Sequence, residues 1–267
     1  MTEQAEGTPA LYEADLRVVG RILPASNATL LAELGDASVR AVYKPVSGER
    51  PLWDVPHGTL AGREVAAYLL SEALGWGIVP PTVLRDGPAG PGMVQLFVDT
   101  IGAGERPGLV DLVPEGACPP GYRHVLSALD AEDRPVDLVH EDSPGLRRMA
   151  VFDVVVNNGD RKGGHVLAGR DGRRYGVDHG VSMSVEPKLR TVLWGWAGEP
   201  LDGDDLATVA RVGAELAEPG SPLRAALADH VTAAEIEACR RRCDSLVRRG
   251  VLPFPDGGWP AIPWPAF

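Results

Sequence analysis

The sequence predicts an α+β fold of two lobes, a small β-rich N-terminal lobe followed by a mainly helical C-terminal one, and three observations carry that expectation. Over residues 16–100 short apolar runs alternate with turn-forming clusters, as in a meandering sheet. From Asp99 to Gly121 the chain is dense in Gly and Pro and poor in periodicity, which marks a connector or lid and a boundary near residue 100. Residues 101–267 then carry three helix starts, at Ser143-Pro144, Ser221-Pro222 and Thr232-Ala233-Ala234-Glu235.

In chain order, residues 1–15 read as a mobile leader. Leu16 to Leu23 and Thr29 to Leu34 are expected strands around the polar turn Pro24 to Ala28, and a third, Val39 to Tyr43, delivers Lys44 just before Pro45. A turn of small residues over a strand pair can offer backbone N–H groups to a phosphate, and a strand-end lysine can reach the same phosphates. The alternative for Lys44 is an ordinary solvated lysine. After a Gly- and Pro-rich loop, Arg63 to Leu74 has the apolar spacing of a helix. Glu64 falls in its first turn, either as a capping acid stabilised by the helix dipole or as a partner that holds Lys44. Val79 to Leu84 and Met93 to Val98 read as strands about a turn.

In the second lobe the helix begun at Ser143 runs through Leu146, Met149, Ala150 and Val154 into a polar loop, 157–165. A short hairpin turning at Asp171-Gly172 follows and leads to Asp178-His179-Gly180. The hairpin brings Asp160 and Asp178 towards one mouth. Two carboxylates there suit phosphoryl transfer, one orienting and deprotonating a hydroxyl while the other holds a divalent metal. Arg161 and Lys162 would balance or orient them. The plain alternative is a turn rich in Gly, Asn and Asp with no chemistry. Ile236, Cys239, Cys243, Leu246 and Val247 trace one face of the last helix, which Gly250 stops. The tail from Leu252, with two tryptophans and five prolines, is too Pro-rich for a helix, and its aromatics are expected to pack back on the domain.

Composition narrows the function classes. A chain of 267 residues with 44% hydrophobic and 24% charged residues can bury a core. The formal charge of −11 argues against nucleic-acid binding and against electrostatic attachment to anionic lipid. Basic clusters at Arg147-Arg148, Arg240 to Arg242 and Arg248-Arg249 read mostly as solvated helix faces. Three cysteines make no disulfide framework, and Cys239 and Cys243 read as buried thiols. No apolar run approaches the roughly 18 residues of a membrane span, and the acidic N-terminus lacks a signal-peptide pattern, so the expected location is cytoplasmic.

The order of these pieces resembles the atypical kinases of the phosphatidylinositol 3-/4-kinase superfamily, HipA-type bacterial protein kinases included, and looks most like an actinobacterial branch of it. The similarity spans roughly residues 16 to 200 and rests on Val42-Tyr43-Lys44-Pro45, Arg63-Glu64, Asn158-Gly159-Asp160-Arg161 and Val177-Asp178-His179-Gly180. It implies a protein-kinase-like fold that uses ATP with Mg²⁺ or Mn²⁺ to phosphorylate an unidentified hydroxyl on a protein or small molecule. By the same resemblance Lys44 binds phosphate, Glu64 is its ion-pair partner, Asp160 is the base and Asp178 a metal ligand. Gln95, Leu96 and Phe97 lie near the purine, and Ser26 and Asn27 in the phosphate-covering turn. Where the family carries a metal-binding Asn, this chain has His165, a ligand better suited to manganese or zinc than to magnesium. Two other classes stay open: a nucleotide-binding pseudokinase, and a metal hydrolase built on Asp160, His165, Asp178 and His179.

Overall fold

The computed structural model describes residues 9–23, 27–36, 39–50, 52, 57–101 and 108–267. Strands β1 (Leu16–Arg21), β2 (Leu30–Leu34), β3 (Val39–Pro45), β4 (Thr82–Gly87) and β5 (Gly90–Leu96) form an antiparallel sheet in the order β1-β2-β3-β5-β4. The pleat sorts β3 by parity: Ala41 and Tyr43 enter a small core with Leu34, Val83, Val94 and Leu96, whereas Val42 and Lys44 point to the other face. A helical turn over 9–13 covers the small core, with Leu11 fully buried in it. That part of the expected leader is therefore a packed element, because Leu11 adds apolar area to the sheet.

Helix α1 (Leu60–Leu74) crosses the opposite face and is buried on most of its circumference, packing on β4 and β5 on one side and on C-terminal helices on the other. Its start precedes the expected one by three residues. Thr59 caps it by accepting the Gly62 N–H, and the Glu49 carboxylate accepts from the Leu60 and Ala61 N–H groups. Glu49 is the capping acid, which leaves Glu64, one turn further in, for another task. Gly75 ends the helix at φ 70°, in the left-handed region that suits glycine.

The second lobe opens with strands rather than helices. β6 (Val110–Pro114), β7 (Tyr122–Leu129) and β8 (Pro135–Glu141) form an antiparallel sheet in the order β6-β8-β7, so the expected connector ends near residue 109. Helix α2 (Pro144–Val156), the hairpin β9 (Val166–Ala168) and β10 (Arg174–Gly176), and helices α3 (Gly203–Ala217), α4 (Pro222–Ala228) and α5 (Ala233–Arg249) follow. The large core is continuous from α1 through α2 to α5. Cys239 and Cys243 are buried in it and Cys118 is exposed. Among the described residues no helix is long and apolar enough to cross a membrane.

Candidate functional site

The site forms where β3, α1 and the two polar loops after α2 and β10 converge. Lys44 is carried there by the parity of β3, and its Nζ donates to Glu64 Oε1 at 2.6 Å and to Asp178 Oδ1 at 2.7 Å. An ammonium has three donors, so two are spent on carboxylates. Burial alone would depress the Lys44 pKa, but Glu64 and Asp178 more than offset it and hold the ammonium above its ordinary range. Glu64 is buried, which pushes its carboxyl up against the opposing pull of Lys44. For Asp178 burial acts in the same upward direction, yet Lys44 and His165 outweigh it and keep the carboxyl well below the usual range. Half of the Asp178 side chain still faces the opening.

Adjacent residues on α1 clamp the turn that presents Asp178. Glu64 Oε2 accepts the His179 N–H at 2.8 Å, and Arg63 Nη1 donates to the Ser182 carbonyl at 2.6 Å while Nη2 pairs with Glu235 at the start of α5. Asp178 is held at φ 60°, a left-handed conformation that Asp tolerates better than most side chains.

The loop bearing Asp160 is built on Asp153 of α2, a fully buried carboxylate. It accepts from Arg161 Nη2 at 2.9 Å, Asn158 Nδ2 at 3.0 Å and Thr191 Oγ1 at 3.0 Å. Arg161 is therefore no group of the mouth. Its guanidinium is fully buried, also donates to the carbonyls of His165 and Val177, and meets His179 Nε2 at 2.6 Å. It is a positioning residue that ties the two polar loops together, because a buried cation must be paired and hydrogen-bonded. Asn158 Oδ1 accepts the Asp160 N–H at 2.9 Å. The Asp160 side chain stays partly open, with Lys162 Nζ 3.8 Å away. Burial first, and Asp178 after it, raise its pKa, the direction that suits a base.

His165 stands between the two aspartates. Its Nδ1 is 2.9 Å from the Asp160 carbonyl and its Nε2 3.2 Å from Asp178 Oδ2. Burial lowers its pKa, Asp178 notwithstanding, which favours the neutral ring. With the Nδ1 proton on the carbonyl, the Nε2 lone pair faces a carboxylate oxygen. The two groups could serve as donors to a metal ion. Among the described residues no three His, Cys, Asp or Glu side chains converge on a metal position, so a cation there would complete its shell with oxygens of another molecule, as Mg²⁺ does with phosphates. His179, by contrast, is buried against Arg161.

The remaining expected residues divide. Gln95 is buried on the Lys44 face of the sheet and donates to Thr82 Oγ1 at 2.8 Å. Leu96 packs into the small core with its N–H donated to the Pro81 carbonyl, and Phe97 lies under the Arg40 guanidinium. Asn27 Oδ1 accepts the Arg50 N–H at 3.0 Å. Ser26 lies outside the described residues. Glu49, Asp153 and Thr191 escaped the sequence reading. Only Asp153 leaves a signal there, as an acid inside the apolar run Val151 to Val156.

The fold and the site define an α+β protein with a β-rich N-terminal sheet and a C-terminal helical lobe, joined at a lysine flanked by two carboxylates. No protein-family model matches the chain. It is 55% identical over 275 residues to Protein Rv2133c of Mycobacterium tuberculosis, covering 100% of this chain and 98% of that protein, and it belongs to the family of that protein.

Proposed function

We propose that the chain is an ATP-dependent phosphotransferase with a protein-kinase-like arrangement, acting on a hydroxyl acceptor. The observation that carries this reading is the Lys44 ammonium between Glu64 and Asp178, which links a strand, a helix and a loop 134 residues from the lysine. Lys44 retains a donor for a phosphate oxygen, and Glu64 fixes its position. Bound ATP would supply the phosphoryl group, with a divalent cation neutralising its charge. Asp178 and His165 would hold that cation, and Asp160 would orient the acceptor hydroxyl and take its proton.

A second reading, a nucleotide-binding pseudokinase, is favoured by the imidazole of His165 beside Asp178 Oδ2, a nitrogen donor less suited to Mg²⁺ than an amide oxygen. The hydrolase reading loses one of its four groups, since His179 Nε2 is engaged by Arg161. One set of measurements separates the two that remain. ATP with Mg²⁺ or Mn²⁺ raises the melting temperature of the wild type by mass action, and Lys44→Ala diminishes the shift. Asp160→Asn keeps the shift while lowering phosphoryl transfer or ATP hydrolysis by roughly 10²- to 10⁴-fold. No shift at millimolar ATP rules out both readings; a shift with turnover equal in wild type and Asp160→Asn leaves the pseudokinase.

A further inference from the structure

A cavity of about 410 Å³, whose lining does not include Asp160, is within the size range of small-molecule sites. The segment 184–190 is a partition with two sides. Val185, Pro187 and Leu189 line this cavity, while Ser184, Lys188 and Arg190 line a narrow cleft beside Gly159. The cavity's wall is apolar where Val154, Leu189, Trp194 and Ala238 meet. Val185 and Phe254, 47% and 69% exposed, border it.

Helix α5 supplies the charge. Ala238, Arg241, Arg242, Ser245 and Arg249 fall at i, i+3, i+4, i+7 and i+11, one helical stripe, beside the core stripe of Ile236, Cys239, Cys243 and Leu246. Three guanidinium groups thus reach one cavity of a chain whose net charge is −11. Their compensation is thin. Asp256 is the acid in the lining, Arg241 has Glu237 at 3.6 Å, and Arg249 has no ion-pair partner among the described residues. Arg242 is turned inward. Its Nε and Nη1 serve the carbonyls of Val155 and Ser184, and the buried Nη2 has no hydrogen-bond partner among the described residues.

We propose that this cavity binds a small amphiphilic anion, its apolar body against Trp194, Leu189 and Phe254 and its carboxylate, sulfonate or phosphate on Arg241 and Arg249. A neutral apolar guest would leave the arginines uncompensated, and a bare inorganic anion would leave the apolar wall wet. A ligand with both parts satisfies both surfaces. The site is independent of the nucleotide reading.

The test uses 8-anilinonaphthalene-1-sulfonate, an aromatic sulfonate, titrated into the full chain. Saturable one-to-one fluorescence is expected for the wild type. The uncharged N-phenyl-1-naphthylamine should bind about tenfold more weakly or worse, as should the sulfonate to the double variant Arg241→Glu/Arg249→Glu. Ser245→Trp, which fills the cavity from the same stripe, should abolish saturable binding. Neither variant touches the core stripe, and a melting temperature near that of the wild type verifies the fold of each. No saturable binding to the wild type, or affinity unchanged in either variant, overturns the proposal.

Discussion

His140 is fully buried against Trp196, with ring centroids 4.2 Å apart. Its Nε2 accepts the Gly195 N–H at 3.1 Å and its Nδ1 donates to the Glu141 carbonyl at 3.0 Å, so the network assigns a neutral ring with its proton on Nδ1. Burial lowers its pKa to about 4. As pH falls below the unfolded value of about 6.5 the unfolded chain protonates first, so the contribution to stability is complete above that value and declines towards pH 4. At about 1.4 kcal/mol per pH unit the loss is of order 3 kcal/mol. Urea titrations at pH 7 and 4.5 should show a shallower decline for His140→Gln than for the wild type; equal slopes would remove His140 as the source. His165 invites a different experiment, because its Nε2 and Asp178 Oδ2 form the mixed donor pair. His165→Asn replaces imidazole with an amide oxygen and should move the preference of the ATP-bound protein from Mn²⁺ towards Mg²⁺. Calorimetric titration of both metals would show it, and identical selectivity in the two proteins would count against His165 as a ligand.

At the scale of elements, the start of α5 joins a local signal to a long-range one. Thr232 Oγ1 accepts the Glu235 N–H and Glu235 Oε2 accepts the Thr232 N–H, a capping box, while Glu235 Oε1 pairs with the buried Arg63 of α1. Thr232→Ala should therefore cost about 1 kcal/mol. Glu235→Ala should cost roughly 3–5 kcal/mol, since it strands the Arg63 guanidinium. Urea unfolding midpoints would compare them, and equal losses would mean that the interhelical pair contributes nothing. The caps of α2, α4 and α5 were legible because each is written within four residues, whereas the Thr59 cap of α1 was missed. Helix α3 was not legible, for Asp202 at its N-cap makes no side-chain bond and the helix begins on Gly203. The β6-β8-β7 sheet was obscured by polar groups at interior positions of β8. Asp137 accepts from the Gly116 N–H and Ser127 Oγ, and His140 is buried, so an alternating pattern does not read as apolar and polar.

Across the whole molecule the C-terminal tail closes over the loop of Asp160. The Ala266 carbonyl accepts the Gly163 N–H at 2.8 Å, and the Ala261 carbonyl accepts from Thr191 N–H at 3.1 Å and Trp194 Nε1 at 2.9 Å. The Phe267 ring lies on Gly163 so closely that no Cβ would fit there. Lys188 stands over the Trp259 ring at 5.1 Å. The tail aromatics thus pack back in part, while Trp264 remains 88% exposed. Ending the chain at Gly258 removes the acceptors of Gly163 and Thr191, and amide exchange at both should quicken by about tenfold or more, the scale of one lost hydrogen bond. Unchanged exchange would show that the loop holds its shape without the tail.

What the sequence by itself determined is local: the two-lobed order of elements, the capped starts of α2, α4 and α5, the Asp-Gly hairpin, and the succession Lys44, Glu64, Asp160 and Asp178. Periodicity, caps and turn residues act over a few neighbours, and a short stretch displays them. Only the tertiary structure decided which charges meet. The parity of β3 and the burial of α1 bring Lys44 onto Glu64 and Asp178. The early start of α1, capped by Glu49, released Glu64 for that pairing, and the buried Asp153 drew Arg161 inward from the mouth where the sequence had put it. Those outcomes depend on desolvation and on partners 8 to 134 residues away, and a buried charge takes whichever partner the fold brings within hydrogen-bonding reach.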